Sequence, residues 1–85
     1  MVYELIFDKN ALDKLSKLPF MIKKRIINKL LITKENPFYY FQKLSNRTEY
    51  KLRVGEYRVI ADINNKSKII SILYINHRRN IYKRL

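Results

Sequence analysis

Tyr50-Lys51-Leu52-Arg53-Val54-Gly55-Glu56-Tyr57-Arg58-Val59-Ile60-Ala61-Asp62-Ile63 is the stretch whose pattern sets the fold. Tyr50, Leu52 and Val54 alternate with Lys51 and Arg53. Tyr57, Val59, Ala61 and Ile63 alternate with Arg58, Ile60 and Asp62. A period of two sends alternate residues to opposite faces of a strand. The chain's single glycine, Gly55, stands with Glu56 between the two runs. A tight turn needs a residue tolerant of positive φ at that point. The pattern therefore predicts an antiparallel hairpin with one apolar face and one face carrying Lys51, Arg53 and Arg58.

On the N-terminal side, Val2 to Phe7 favours a strand, and Asp8 is a good helix N-cap. Leu12, Leu15 and Leu18 then recur at helical spacing until Pro19. Residues 20–34 read as a second helix, with Ile22, Ile26 and Leu30 in one line and Ile27 and Leu31 in a line beside it. Together they form a stripe broad enough to cover a sheet. Asn36-Pro37 closes this helix, giving a helical hairpin. On the C-terminal side, Asn64 to Ser67 is a second turn, and Lys68 to Asn76 is apolar enough for a central strand buried on both faces. His77 to Asn80 is a polar break, and Ile81 to Leu85 a short tail with room for one helical turn. Phe41 to Leu44 reads as a further short strand. The expectation is one α+β domain over residues 1–85. It has an N-terminal strand, a helical hairpin on one sheet face, an antiparallel meander sheet and a short C-terminal tail.

Composition narrows the chemistry. The 85 residues include 19 Lys and Arg against seven Asp and Glu, a net charge of +12. Residues 1–42 hold eight basic and four acidic side chains; residues 43–85 hold eleven and three. The excess is concentrated in the sheet half and attracts polyanions: nucleic acid, an anionic surface or an acidic protein. There is no cysteine, which excludes disulfides, thiolate metal sites and a cysteine nucleophile. One histidine and scattered acids argue against a protein-held metal, and no cofactor is expected. No signal-peptide pattern is visible, and the apolar run Ile69 to Ile75 is too short to span a bilayer. The cytoplasm is the expected compartment, with no membrane partner.

Two groups of residues carry the chemistry. Lys51 and Arg53 are two apart on one strand face, and Arg58 lies across the turn. Like charges side by side destabilise a sheet unless an anion sits among them. The competing reading is an ordinary solvated strand face. The second group, His77, Arg78, Arg79 and Tyr82, follows the last long strand. Arginine presents a fork that matches phosphate oxygens. Tyrosine can orient a hydroxyl or stack on a base, and histidine titrates near neutrality. The competing readings are a polar surface turn for His77 and core packing for Tyr82.

The run Lys51 to Ile60 resembles the K-L-R-x-G-x-Y-R-V-I signature of the RelE/ParE toxin superfamily. Ile75 to Tyr82 resembles the G-H-R-x-x-Y-type ending of its RelE branch. Phe7 to Leu15 resembles its opening, and Lys43-Leu44 its K-L step before the sheet. The resemblance covers essentially the whole chain and implies a RelE-like fold. It also implies the toxin of a type II toxin–antitoxin pair, acting as a ribosome-dependent endoribonuclease that cuts mRNA in the A site. The implied reaction is metal-independent attack of a ribose 2′-OH on the adjacent phosphate.

By this resemblance Arg58 grips the scissile phosphate and Arg78 stabilises the transition state. Lys51 and Arg53 match the basic strand positions, and Tyr82 matches the C-terminal tyrosine that orients the 2′-OH or stacks on a base. Arg79, His77, Lys43, Lys23, Lys24 and Arg25 are candidates for RNA binding. Three departures stand out: Asn76 replaces the family's glycine, Glu49 stands where some members carry Lys, and the Arg78-to-Tyr82 spacing is short. They leave the proton-transfer roles open, with His77 and Glu49 as candidate bases. A ParE-like toxin that inhibits DNA gyrase by binding is the alternative. The implied partners are a RelB-like antitoxin, the ribosome and mRNA.

Overall fold

The computed structural model describes the backbone of residues 2–84 and the side chains of residues 2–81. The elements run β1 (Glu4–Phe7), α1 (Lys9–Ser16), α2 (Phe20–Thr33), α3 (Pro37–Tyr40), β2 (Gln42–Lys43), β3 (Tyr50–Val54), β4 (Tyr57–Asn64), β5 (Ile69–His77) and α4 (Arg78–Arg84). The five strands form one sheet in the order β1-β5-β4-β3-β2. From β2 to β5 the sheet is the expected antiparallel meander. β1 adds to its far edge parallel to β5, so the sheet is mixed. Alternation shows which residues share a face but is silent about a strand's neighbour or direction.

The hairpin forms as its pattern requires. Leu52 stands opposite Val59, Arg53 opposite Arg58 and Val54 opposite Tyr57. Leu52, Val54, Val59 and Ala61 are buried in the main core. Gly55 turns the chain at φ +59. The second turn is closed by Asn64, whose Oδ1 accepts from the backbone N–H of Lys66 and Ser67, both at 3.0 Å.

The helices cover the apolar face. Asp8 caps α1 by accepting the Asn10 N–H at 3.1 Å. Ala11 and Leu15 face the core as α1 packs on β5. α2 packs on β3 and buries Ile26 and Leu30 completely. The second line expected on α2 stays outside: Ile27 is 36% and Leu31 53% exposed. The stripe is narrower than the sequence suggested because α2 rests on its sheet along the Ile26–Leu30 line.

Three further differences position the site. First, the strand closed on both faces is β4, where Arg58, Val59, Ile60 and Ala61 are buried in succession. β5 buries Ile70, Ile72 and Ile75 and leaves Ser71, Tyr74 and Asn76 half-buried. Second, a bulge separates the pairs Ile60–Tyr74 and Ala61–Ile72, leaving Leu73 without a partner. An extra residue reverses the alternation. Tyr74 and Asn76 are thereby turned to the face opposite the main core. Third, the expected polar break is helical: Arg78 to Asn80 begin α4, which packs on β5 and β4. Ile81 and Ile60 are both fully buried outside the main core cluster, so α4 closes a small second layer on the far sheet face.

Ile26→Ala is expected to cost about 2–5 kcal/mol of unfolding free energy, since it empties a closed site. Leu31→Ala is expected to change stability by about 0.5 kcal/mol or less. Urea denaturation of both variants checks this, and equal losses would contradict the placement of α2.

Candidate nucleic-acid interface

Directly opposed residues of an antiparallel pair share a face. On the face away from α1 and α2, the register makes two transverse rows. One runs Gln42, Lys51, Ile60, Tyr74; the other runs Arg53, Arg58, Asn76. The expected cations Lys51, Arg53 and Arg58 therefore do come together. All three line one cavity of about 480 Å³.

Arg58 is the unusual member. It is only 8% exposed. Its Nη1 donates to the carbonyls of Gly55 and Tyr57, each at 3.1 Å. Among the described residues, no carboxylate lies within ion-pair distance of it. Buried charges are normally paired. Here the hairpin's own carbonyls fix the guanidinium, and a second arginine, Arg53, stands directly across. Such an arrangement is suited to an anion entering from the cavity.

Glu56, next in the turn, is engaged elsewhere. Its Oε2 lies 2.8 Å from Arg78 Nε, and its carbonyl accepts the Arg78 backbone N–H at 2.8 Å. These contacts bring the start of α4 to the hairpin tip. Both side chains of the ion pair are more than half exposed, at 53% and 60%. An exposed pair of this kind is weak and easily exchanged for another anion.

The other candidates divide. Arg25 reaches the hairpin: a Cβ built on Gly55 would lie 3.2 Å from its Nη1. Arg25, Lys29 and Arg53 line an adjoining cleft of about 310 Å³, which continues the basic surface onto α2. Lys23 and Lys24 line neither cavity. Lys43 stands opposite Tyr50 on the helix side, and its Nζ donates to the Arg47 carbonyl at 2.5 Å. His77 stands opposite Tyr57, ring centroids 5.5 Å apart, on the face away from Arg58. Its Nδ1 accepts the Arg79 backbone N–H at 3.3 Å, and Arg79 is exposed on the first turn of α4. Tyr82 lies within α4, but its side chain is outside the described residues. Glu49 accepts twice from Arg47 at 3.2 Å. That hydrogen-bonded guanidinium holds its carboxyl below the usual carboxylate range, making it a weaker base.

Sequence reasoning missed Tyr74, Asn76, Lys29, Tyr39, Tyr40 and Gln42. For Tyr74 and Asn76 the bulge hid the face. Tyr39 and Tyr40 belong to α3, which carries no periodic signal; only Pro37, at its first turn, marks that helix. Gln42 lies in the expected short strand, whose two-residue pairing gave no sign of which face it shares. Among the described residues, no group of three or more metal-ligating side chains could hold a metal ion, and no helix is long and apolar enough to cross a membrane.

Comparison with known proteins agrees with this architecture. The chain is similar to a chain of the RelBE2 toxin–antitoxin complex from Mycobacterium tuberculosis, with TM-score 0.80 and 23% identity over 92% of this chain and all of that one. It is similar to a chain of the RelE–RelB complex from Pyrococcus horikoshii, with TM-score 0.78 and 29% identity over 92% and 97% of the two chains. It is also similar to the YoeB/ParE toxin from Agrobacterium tumefaciens, with TM-score 0.75 and 12% identity over 87% and 96%. No curated protein matches by sequence. Residues 5–82 match the family described as ParE toxin of type II toxin–antitoxin system, parDE. With that match spanning nearly the whole chain and the RelE fold beneath it, the chain belongs to the ParE toxin family of the RelE/ParE superfamily, the toxins of type II toxin–antitoxin systems.

Proposed function

We propose that this toxin is a ribosome-dependent endoribonuclease acting in the cytoplasm and cutting mRNA in the A site. The observation that supports this most is Arg58, a buried guanidinium facing Arg53 with no carboxylate of the described residues within ion-pair distance. Such a pair fits a phosphodiester. In the proposed reaction the 2′-oxygen attacks the adjacent phosphorus as its proton leaves. The bond from phosphorus to the 5′-oxygen breaks, and that oxygen takes up a proton. The products are a 2′,3′-cyclic phosphate and a 5′-hydroxyl. Charge builds on the phosphoryl oxygens in the transition state, where Arg58, Arg53 and Lys51 stabilise it in place of a metal. Arg78 joins them once its exposed pairing with Glu56 is exchanged for substrate. Tyr82 and Arg79, on the same helix, are the candidates for orienting the 2′-OH and holding the strand. The identity of the proton acceptor stays open; the placement of His77 and the pairing of Glu49 count against both. Arg25 extends the basic surface for RNA, with Lys23 and Lys24 as outlying charges.

The matched family favours a second reading. ParE-like toxins share this scaffold, and the chain would then inhibit DNA gyrase by binding. Fold does not decide between the two. In either case the partner is a cognate antitoxin, acidic or amphipathic enough to lie on a basic surface. Relatives of this fold were solved as RelE–RelB complexes.

Toeprinting on translating ribosomes separates the readings. Wild-type protein is expected to cut within the A-site codon, leaving cyclic phosphate ends. The Arg58→Ala, Arg78→Ala double variant is expected to lose about 10²–10³-fold or more. Intact mRNA with folded wild-type protein, together with inhibited gyrase, would move the ParE-like reading to the front.

A further inference from the structure

Lys51, Arg53 and Arg58 account for one wall of the 480 Å³ cavity. The other wall comes from α3, the start of β2, and α2: Tyr39, Tyr40, Gln42 and Lys29. A cavity of this size suits a nucleotide-sized ligand. It opens at the edge of β3 because β2 pairs only Gln42 with Lys51 and Lys43 with Tyr50. Beyond Lys51, β3 has no outer strand among the described residues.

The three aromatic residues of α3 have different surroundings. Phe38 meets Tyr3 and Tyr50 edge-on, at centroid distances of 6.3 and 5.6 Å. Tyr40 is half-buried against the core and carries Lys29 Nζ 5.2 Å from its ring centre. These two anchor the short helix. Tyr39 does not contribute to that anchoring. It is 76% exposed and touches the edge of Tyr40 at 5.0 Å and 77°. A supported tyrosine thus projects into water at the rim of a cavity lined by four cations, Lys29, Lys51, Arg53 and Arg58.

We propose that Tyr39, braced by Tyr40, is a stacking platform for one nucleobase of a single-stranded RNA whose neighbouring phosphate lies on Arg53 and Arg58. Bases offer a π-face whatever their sequence, so an exposed aromatic beside a phosphate-binding groove recognises single strands. Gln42, with both a donor and an acceptor on its amide, lies on the same wall to meet a base edge. The RNA strand then crosses the open edge of β3, with its backbone on the basic rows and one base turned toward α3. The proposal rests on the RNA reading of the site and adds a base subsite to it.

The test measures binding of the toxin to a fluorescent 2′-O-methyl RNA hexamer, which cannot be cut, by anisotropy at low salt. Tyr39→Ala is expected to weaken binding about 5- to 150-fold, the range for losing one stacked base. Tyr39→Phe and Tyr39→Trp are expected to bind like wild type. Arg53→Gln is expected to weaken binding and flatten its salt dependence, whereas Tyr39→Ala leaves the salt slope unchanged. A series of hexamers with one abasic position each completes the cycle: at one position, removing the base abolishes the effect of Tyr39→Ala. Wild-type affinity for Tyr39→Ala, with Arg53→Gln impaired, would overturn the subsite and leave the RNA reading standing. Wild-type protein that binds no hexamer even at low salt would overturn both. Because Tyr39 is exposed, its variants are expected to melt with wild type, which circular dichroism verifies.

Discussion

Holding the Arg58 guanidinium inside a sheet, across from Arg53 and without a carboxylate partner among the described residues, is the constraint that organises the rest of the molecule. Removing a cation from water costs several kcal/mol, roughly, even after the protein relaxes. Two hydrogen bonds from Arg58 to hairpin carbonyls offset part of that cost, each about 1.5–3 kcal/mol when the donor is charged. The hairpin must therefore keep its turn geometry, which is why a glycine at positive φ sits at its tip. The opposite face must supply the stability that the charged face does not. Ile26, Leu30, Val59, Ile70 and Ile72, all fully buried, do so by closing the helices onto the sheet.

The far face is covered only in part. α4 is seated by the fully buried Ile81, as the helix packs on β5 and β4, and by the contacts of Arg78 with Glu56. The apolar contact orders the helix, while the exposed ion pair contributes little stability. Arg78 is thereby kept near the hairpin tip and available to a stronger anion. Opposite it, the end of β2 leaves β3 uncovered beside the basic rows, the notch through which a strand of RNA would enter in the proposed function. The two sheet faces thus have different tasks, one for folding and one for the polyanion.

Much of this was legible in the sequence because alternation is a direct physical record of the two faces. Leu52, Val54, Val59 and Ala61 went to the core, and Lys51, Arg53 and Arg58 to one surface, as their spacing requires. The resemblance to RelE/ParE toxins rests on the same residues. What was not legible came from non-local geometry. The bulge at Leu73 reversed the faces of Tyr74 and Asn76, and nothing in the local pattern announces an unpaired residue. His77 looked like part of the site by proximity along the chain, yet register placed it beside Tyr57. Ile27 and Leu31 looked like core by helical spacing, but α2 rests on its sheet along the Ile26 and Leu30 line. Tyr39 and Tyr40 became part of the cavity wall only through a four-residue helix that periodicity cannot detect.

The central claim is that the paired arginines of β3 and β4 receive the phosphate. Nitrogen-15 NMR of the arginine side chains, titrated with a short DNA oligonucleotide that lacks the attacking 2′-OH, tests it most directly. The account predicts that the Nε–H resonances of Arg53 and Arg58 shift first and together, saturating at one affinity, while that of Arg47 stays in place. Shifts confined to Arg25 and other helix-side cations, with Arg53 and Arg58 unmoved, would contradict it.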